Sequence, residues 1–290
     1  MLRNEQARIP LPLVALLAGL VALFGAGLNL GELVVDRVTP VPPGHGGRGS
    51  GSDNDHAKGP SGLAVASQGY VLRPRFSRFT VGKLTNFRFN IFTSSGQPVT
   101  EFTQRGAPRM TLVVVRRDMT GYQHLYPIME PDGTWTVPVQ FDKAGSYRAF
   151  AEFLTGTVTT PVTLGVDLEV PGLLEPGPIT KVSTSAEVDG YKVFWTGDLI
   201  AGSVSRVWMH VMRDNVPVTD LDSHLGAAGH LVILREGDLA NLHVNPVAGP
   251  RQDTSIAFDA DVPSAGYYRM FMEFQHHGQV RTAEFTALAR

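Results

Sequence analysis

Apolar and polar residues alternate with a period of two through most of the chain after about Ala64. Residues 86–91 alternate strictly, and Val207, Met209 and Val211 repeat the pattern later. This period is typical of strands that bury one face, and turn signals rich in Gly and Pro separate the short runs. The pattern therefore predicts an all-β chain of the β-sandwich type, without a soluble helix.

The first half of this region recurs about 120 residues later, a period too long for small stacked repeats. Residues 110–127 align with residues 229–246, and residues 144–153 align with residues 265–274. The matched pairs include His124 with His243, Glu152 with Glu273, Thr111 with His230, and Thr155 with His276. Two tandem copies of a whole domain are predicted, and about 105 residues per copy fits an immunoglobulin-like β-sandwich.

The N-terminal region predicts a membrane anchor. Arg3 and Arg8 precede an uncharged run at residues 9–31, and about 20 apolar residues are enough to cross a bilayer as a helix. The two arginines favour a cytoplasmic N-terminus, which places the β domains outside the cytoplasm at the plasma membrane. A cleaved signal peptide is the competing interpretation, and residues 25–27 (Gly-Ala-Gly) offer only a weak cleavage signal.

Changes in composition indicate the domain boundaries. The segment after the anchor is dense in Gly, Pro and Ser, which favours a flexible linker, and a second Pro-rich segment separates the two copies. The predicted organisation is a cytoplasmic N-terminus at 1–8, an anchor at 9–35, a linker at 36–63, a first β-sandwich at 64–171, a linker at 172–178 and a second β-sandwich at 179–290.

Composition and missing motifs exclude several classes of protein. The formal net charge of -2 gives no case for nucleic acid as a partner, because its binders carry concentrated basic patches. The chain has no cysteine, which excludes disulfides, thiolate zinc sites and iron–sulfur clusters. The sequence also lacks a Gly-x-Ser-x-Gly elbow, a His-Glu-x-x-His motif and a phosphate-binding glycine loop, so an enzyme is not expected.

One hairpin is central to the candidate site. It begins at His230, turns tightly in the Glu-Gly-Asp sequence at residues 236–238, and returns as a second strand. If the turn is centred on its first two residues, His230 faces His243 with Cβ atoms about 4.5–5.5 Å apart. If the turn slips by one residue, Asn245 faces His230 instead.

Three histidines of the second copy form the candidate metal site. Strand alternation puts His276 on a core-facing side and directs His277 to the opposite side. Together with His230 and His243 it would supply three imidazoles, which suit copper or zinc better than calcium or magnesium. The first copy has only His124 of this set. The alternative interpretation is that these histidines are structural and hydrogen-bonded.

Several motifs together resemble a known family. They are residues 229–232 (Gly-His-Leu-Val), 235–239 (Arg-Glu-Gly-Asp-Leu), 242–246 (Leu-His-Val-Asn-Pro) and 273–276 (Glu-Phe-Gln-His). With the anchor and the His-containing linker, they make nearly the whole chain similar to actinobacterial membrane-anchored proteins of the heavy-metal-binding domain or YtkA-like extracytoplasmic family. The resemblance implies metal ligands at His230, His243 and His276, with Asn245 as an oxygen donor and His124 as a remnant.

This sequence departs from the pattern of that family at two positions. The family's hairpins usually end in His-x-His-Pro, whereas Tyr126 and Asn245 stand here in place of the second histidine. The departure weakens the site implied for the second domain and leaves the first domain with a single histidine.

Two hypotheses of function follow. The leading one is a single-pass, extracytoplasmic protein that binds a transition metal ion, with copper favoured and zinc as the alternative, for sequestration or delivery. The other is a non-enzymatic interaction or scaffold module without metal, such as an accessory subunit of a membrane complex, with exposed aromatics such as Trp208 and Tyr267 as a contact patch. If the three histidine rings do not converge within metal-coordination reach, the interaction module is the favoured hypothesis.

Overall fold

The computed structural model describes residues 61–290 except 105–107, 157, 159, 178–180 and 248–253. The predicted anchor, and the predicted linker up to residue 60, lie outside the described residues. Every regular element in the described part of the chain is a β-strand, which confirms the prediction of an all-β protein. Within that part, no helix has the length and apolar character needed to span a membrane.

The first half of the described chain forms a sandwich of two antiparallel sheets. Its strands are β1 (Ala66–Ser67), β2 (Tyr70–Pro74), β3 (Thr85–Thr93), β4 (Met110–Arg116), β5 (Gln123–Leu125), β6 (Ile128–Met129), β7 (Thr134–Val139), β8 (Gly145–Phe153) and β9 (Val162–Val170). One sheet has the order β1-β2-β3-β7-β6, and the other has the order β5-β4-β8-β9. Alternate side chains such as Phe87, Leu112 and Ala149 fill the space between the sheets and are fully buried.

The second half repeats this architecture. Its strands are β10 (Ser185–Val188), β11 (Tyr191–Thr196), β12 (Ser203–Arg213), β13 (Val216–Pro217), β14 (His230–Arg235), β15 (Val244–Pro246), β16 (Ile256–Val262), β17 (Gly266–His276) and β18 (Gln279–Ala289). One sheet has the order β10-β11-β12-β16-β15 with β13 beside β12, and the other has the order β14-β17-β18. Val207, Ile233 and Met270 lie in the core between them.

The predicted hairpin after His230 is wrong beyond its turn. β14 pairs with β17, and His230 is the partner of Glu273. After the turn, Leu234 bridges to Asn241, but β15 then pairs with β16 in the opposite sheet. The register near the turn is therefore the slipped one, and the return strand leaves before Asn245 could face His230.

Burial of the residues at the turn explains this path. The Asp238 carboxylate accepts hydrogen bonds from the Arg235 guanidinium and the Ala240 N–H, which fixes a tight turn. Leu239 packs between the two halves of the protein, whereas Leu242 packs inside the second sandwich. Because these side chains are buried in two different apolar clusters, the chain crosses to the other sheet instead of continuing a flat hairpin.

The two sandwiches pack against each other through the outer faces of two sheets, in a contact that we call the junction. Its buried apolar residues are Val113, Val115, Met119, Phe150, Val232, Leu234, Leu239 and Phe271, and Tyr122 packs against them. Tyr122 stacks on Phe271 with ring centroids 4.0 Å apart. β4 and β14 are thus buried on both faces, which accounts for their unbroken apolar runs. Both sandwiches belong to the same compact unit.

The first described residues run along the side of the junction and contact both halves. The backbones of Ser61 and Asn241 exchange two hydrogen bonds, of 3.2 and 3.1 Å. The Arg148 guanidinium donates to the Gly62 carbonyl at 2.9 and 3.0 Å. Gly165 permits this approach, because a Cβ atom there would lie 1.9 Å from the Gly62 carbonyl oxygen. The segment therefore ties the first sandwich to the second.

Candidate metal centre

The structure does not bring the predicted ligand residues together. His124 and His230 lie at the junction. His243 directly precedes β15, Asn245 lies within β15, and His276 is the last residue of β17. His230 pairs with Glu273, and Glu273 is three positions from His276, so the two point to opposite faces of the sheet. The sheet itself therefore separates His230 on the junction face from His276 on the core face.

One group of side chains in the described residues could hold a metal ion. Asp220, His276 and His277 each offer a donor atom, and these atoms all lie within 4.8 Å of one another. The Nε2 atom of His276 lies 3.2 Å from Oδ1 of Asp220. His276 is buried, whereas Asp220 and His277 are exposed, so the group opens to solvent on one side. We call it the metal centre candidate.

A tight turn places His277 beside His276, contrary to the prediction that the two point in opposite directions. His277 and Gly278 have positive φ angles of 53° and 75°, as the two central residues of the preferred hairpin turn require. The Gly278 N–H donates to the Asp222 carboxylate at 2.8 Å, which anchors the turn. The two imidazole rings stack with centroids 3.8 Å apart. Strand alternation ends at His276, so it does not govern His277.

Tyr191 fixes the orientation of the His276 ring. Its hydroxyl lies 2.7 Å from Nδ1 of His276 and accepts a hydrogen bond from Arg213 at 3.1 Å. The Arg281 guanidinium lies over the Tyr191 ring and pairs with Asp189 at 3.4 Å. With Nδ1 held in this way, Nε2 is the ring nitrogen that faces Asp220, which is how residues around a metal site commonly orient a histidine ligand.

The first half has the same arrangement without the histidine. Tyr70 occupies the repeat position of Tyr191, and its hydroxyl lies 2.8 Å from Oγ1 of Thr155, the residue matched with His276. Thr155 is buried like His276. The second half therefore presents an imidazole where the first half presents a hydroxyl, and only the imidazole is a ligand for a transition metal ion.

A second cluster of titratable groups, which we call the junction cluster, consists of His124 from the first half and His224, His230 and Glu273 from the second. The Glu273 carboxylate accepts hydrogen bonds from Nδ1 of His124 at 2.7 Å and from Nε2 of His224 at 3.2 Å. The rings of His124 and His230 stack with centroids 4.9 Å apart. The side chains of His124 and Glu273 are 1% and 4% exposed, so this is a buried polar contact between the halves.

The pKa values of Glu273 and His230 in this cluster are both lowered, but for different reasons. Burial alone would raise the pKa of Glu273, but the hydrogen bonds from His124 and His224 outweigh it and lower the pKa to about 2. Burial, and to a smaller extent the neighbouring His124, lowers the pKa of His230 to about 4. His230 is nevertheless only half-buried from solvent. At neutral pH, Glu273 is therefore ionised and His230 is neutral.

The junction contact has only a partial counterpart at the matched positions of the repeat. His124 and Glu273 are matched in the repeat with His243 and Glu152. His243 lies close enough to Glu152 to lower its pKa, although burial raises that pKa overall. The hydrogen bond from His124 to Glu273 is not repeated at the matched positions, because Glu152 accepts from Thr163 at 3.3 Å and His243 is exposed. His243 also lines an open cleft of about 470 Å³ together with Ser61.

The predicted ligand set left out four of the residues in these two clusters, namely Asp220, His277, His224 and Glu273; the sequence had indicated only that His224 lies in a loop that could reach a site. The His-Gly pair at 277–278 between two apolar runs is a turn signal that could have found His277. Glu273 could have been found from its place in a run that is otherwise apolar or aromatic, since buried charges are rarely unpaired.

These observations define an all-β protein of two stacked sandwiches, with a candidate metal centre at the end of β17. A sequence-family model described as a domain of unknown function, DUF8832, matches the chain at residues 65–170 and again at residues 186–290. The chain therefore belongs to that family, and the double match agrees with two copies of one domain. No curated protein matches the sequence significantly.

Solved structures with some similarity include bacterial adhesion proteins, titin and a marsupial T cell receptor. The Escherichia coli adhesin FdeC is 10% identical, with 78% of this chain and 66% of that chain covered and a TM-score of 0.24. The integrin-binding protein invasin is 10% identical, with 78% and 41% covered and a TM-score of 0.22. This chain thus spans less than two thirds of either structure, and TM-scores this low carry no argument about function.

Proposed function

We propose that this protein binds a transition metal ion outside the cytoplasm, for sequestration or delivery, while its N-terminal region anchors it in the membrane. The observation that carries the proposal is the group of three donor atoms from Asp220, His276 and His277 within 4.8 Å. The uncharged run at residues 9–31 supports the anchor. We also propose that the two sandwiches are immunoglobulin-like and related to the heavy-metal-binding family that the sequence resembles.

The donor set favours copper, with zinc as the alternative. Two imidazole nitrogens and one carboxylate oxygen suit divalent copper or zinc, whereas calcium and magnesium need mostly oxygen ligands. Metal–nitrogen bonds are about 2.0–2.1 Å long and lie in the plane of the imidazole, so a bound ion would require the exposed His277 ring to rotate out of its stack on His276. The open side of the group leaves positions free for exchangeable ligands, and that arrangement suits delivery of the ion.

A metal titration tests the proposal. The full-length chain in mild detergent, stripped with a chelator, would be titrated calorimetrically with Cu(I), Cu(II) and Zn(II). We expect one tight equivalent, and Asp220→Asn and His277→Ala should each lower the affinity at least about tenfold, since even residues behind the ligands contribute about that much. Tyr191→Phe, which removes only the hydroxyl, should lower it about tenfold. His210→Ala, a histidine outside the cluster, serves as the matched control.

The outcomes separate the candidate sites. Loss of binding in the Asp220 and His277 variants, with full binding in His243→Ala, would place the ion at the metal centre candidate. Loss in His243→Ala alone would instead favour the ligand set implied by the family resemblance. Binding by the unchanged chain no tighter than that of a generic surface histidine would remove metal binding as the function.

An interaction module without metal is the second candidate, and the separation of His230, His243 and His276 favours it. Tyr267 is 48% exposed and lines an open groove of about 610 Å³ with Lys181 and Arg269. Because Asp118 and Glu236 also line the groove, a protein partner with both charged and apolar surface would fit it. Co-purification of a membrane complex that is lost in Tyr267→Ala would support this function, and recovery of the chain alone would count against it.

A further inference from the structure

The junction cluster joins the two halves through an unbalanced set of titratable groups. It contains one ionised carboxylate, Glu273, and three imidazoles, of which His124 comes from the opposite half. A single proton on His124 or His224 is matched by the Glu273 charge. Any further proton has no counter-charge within the cluster, and an unpaired buried charge is costly.

We propose that the junction cluster is a proton-responsive clasp, which holds the two sandwiches together at neutral pH and releases them as the medium becomes acidic. The proposal is independent of metal binding, because its groups lie on the junction face and the metal centre candidate does not. It also needs no partner other than protons, which a cell-surface protein meets at varying concentration.

Neighbouring groups supply little additional negative charge. The titratable groups that face the cluster are Tyr122 and Tyr126 from the β5 region, Glu152 from β8, Glu284 from β18 and His243 from the segment before β15. Burial raises the pKa of both tyrosines and of Glu152, which favours their neutral forms. Glu284 is already paired with Arg269.

The direction of the pH effect follows from His230. The pKa of His230 is about 4 in the closed junction and 6.5 in the ordinary state, so an opened junction takes up a proton that the closed one refuses. The contribution of neutral His230 to the free energy of closing the junction is full above pH 6.5 and is lost as pH falls towards 4. Between pH 7.5 and 5.5, the equilibrium constant for opening should rise up to about tenfold from this group alone.

The cysteine-free sequence allows one introduced thiol to report opening. Val115 faces the junction, and its neighbour Val114 faces the core of the first sandwich; both are fully buried. In the full-length chain with a chelator present, the labelling rates of Val115→Cys and Val114→Cys would be measured from pH 7.5 to 5.5. Each rate is divided by that of the urea-unfolded variant at the same pH, which removes the titration of the thiol itself.

We expect the normalised rate at position 115 to rise up to about tenfold on acidification, while the rate at position 114 stays flat. In a His230→Thr background, which installs the residue of the first copy at the matched position, the rise should shrink to less than half. A flat rate at 115, an equal rise at both positions, or a rise unchanged by His230→Thr would each overturn the proposal. Val232→Cys with Ile233→Cys gives the same comparison from β14, should a β4 variant fail to fold.

Discussion

Replacing Phe271 with alanine is the most direct test of the junction. The Phe271 side chain is fully buried by residues of both halves and stacks on Tyr122 at 4.0 Å and 8° between ring planes. If the sandwiches were independent, the outer face of β17 would be solvent-exposed, and the change would fall within about 0.5 kcal/mol of neutral. In the stacked arrangement the truncation should cost about 3–5 kcal/mol of unfolding free energy, from lost burial and the cavity left behind.

The assay is urea unfolding of the full-length chain, followed by tryptophan fluorescence. Trp135 reports the first sandwich, and Trp195 and Trp208 report the second. Phe194→Ala is the matched control, because that ring lies on the outer face of β11 and stacks on His210 without contact to the junction. We expect the control to cost about 1 kcal/mol or less. A Phe271→Ala cost as small as that of the control would refute the stacked arrangement.

Two further predictions concern the groups that hold the halves together. Glu273→Gln should cost about 3 kcal/mol at neutral pH, because the pKa of Glu273 rises from about 2 to 4.5 on unfolding; that contribution is present above pH 4.5 and lost as pH falls towards 2. Urea midpoints of both proteins against pH would therefore converge in acid, and a constant difference would contradict it. Gly165→Ala should cost about 1–3 kcal/mol, since its Cβ would displace Gly62. Gly156→Ala, where a Cβ meets nothing within 4 Å, should be neutral in thermal unfolding.

Periodicity and the internal repeat were sufficient to predict the fold class. Alternation along residues such as those of β3 reports burial on one face, and it needs no knowledge of distant partners. The packing of the two halves against each other could also be predicted from the sequence, although from a different pattern. The runs at 112–115 and 231–234 are apolar at every position, which is typical of strands buried on both faces.

The site was harder to predict because it depends on pairing between distant strands. His230 and His276 lie on opposite faces of the sheet, and this follows only from the pairing of His230 with Glu273, three positions before His276. The approach of Asp220 to His276 joins residues 56 positions apart, and no local pattern encodes it. A hydrogen bond across the junction, such as that from His124 to Glu273, depends on two domains meeting, which neither repeat specifies alone.

The apolar part of the junction is built from matched positions of the two copies, and this has a consequence for the history of the chain. Val113 matches Val232, Val115 matches Leu234 and Phe150 matches Phe271, and all six side chains are buried at the junction. An interface that uses the same patch on both sides is the kind formed by two identical subunits. Fusion of the two copies freed each one to diverge. Tyr70 contacts Thr155 in the first half, and Tyr191 contacts His276 at the matched position of the second half. This single exchange of threonine for histidine shows how duplication gives a symmetric assembly one specialised end.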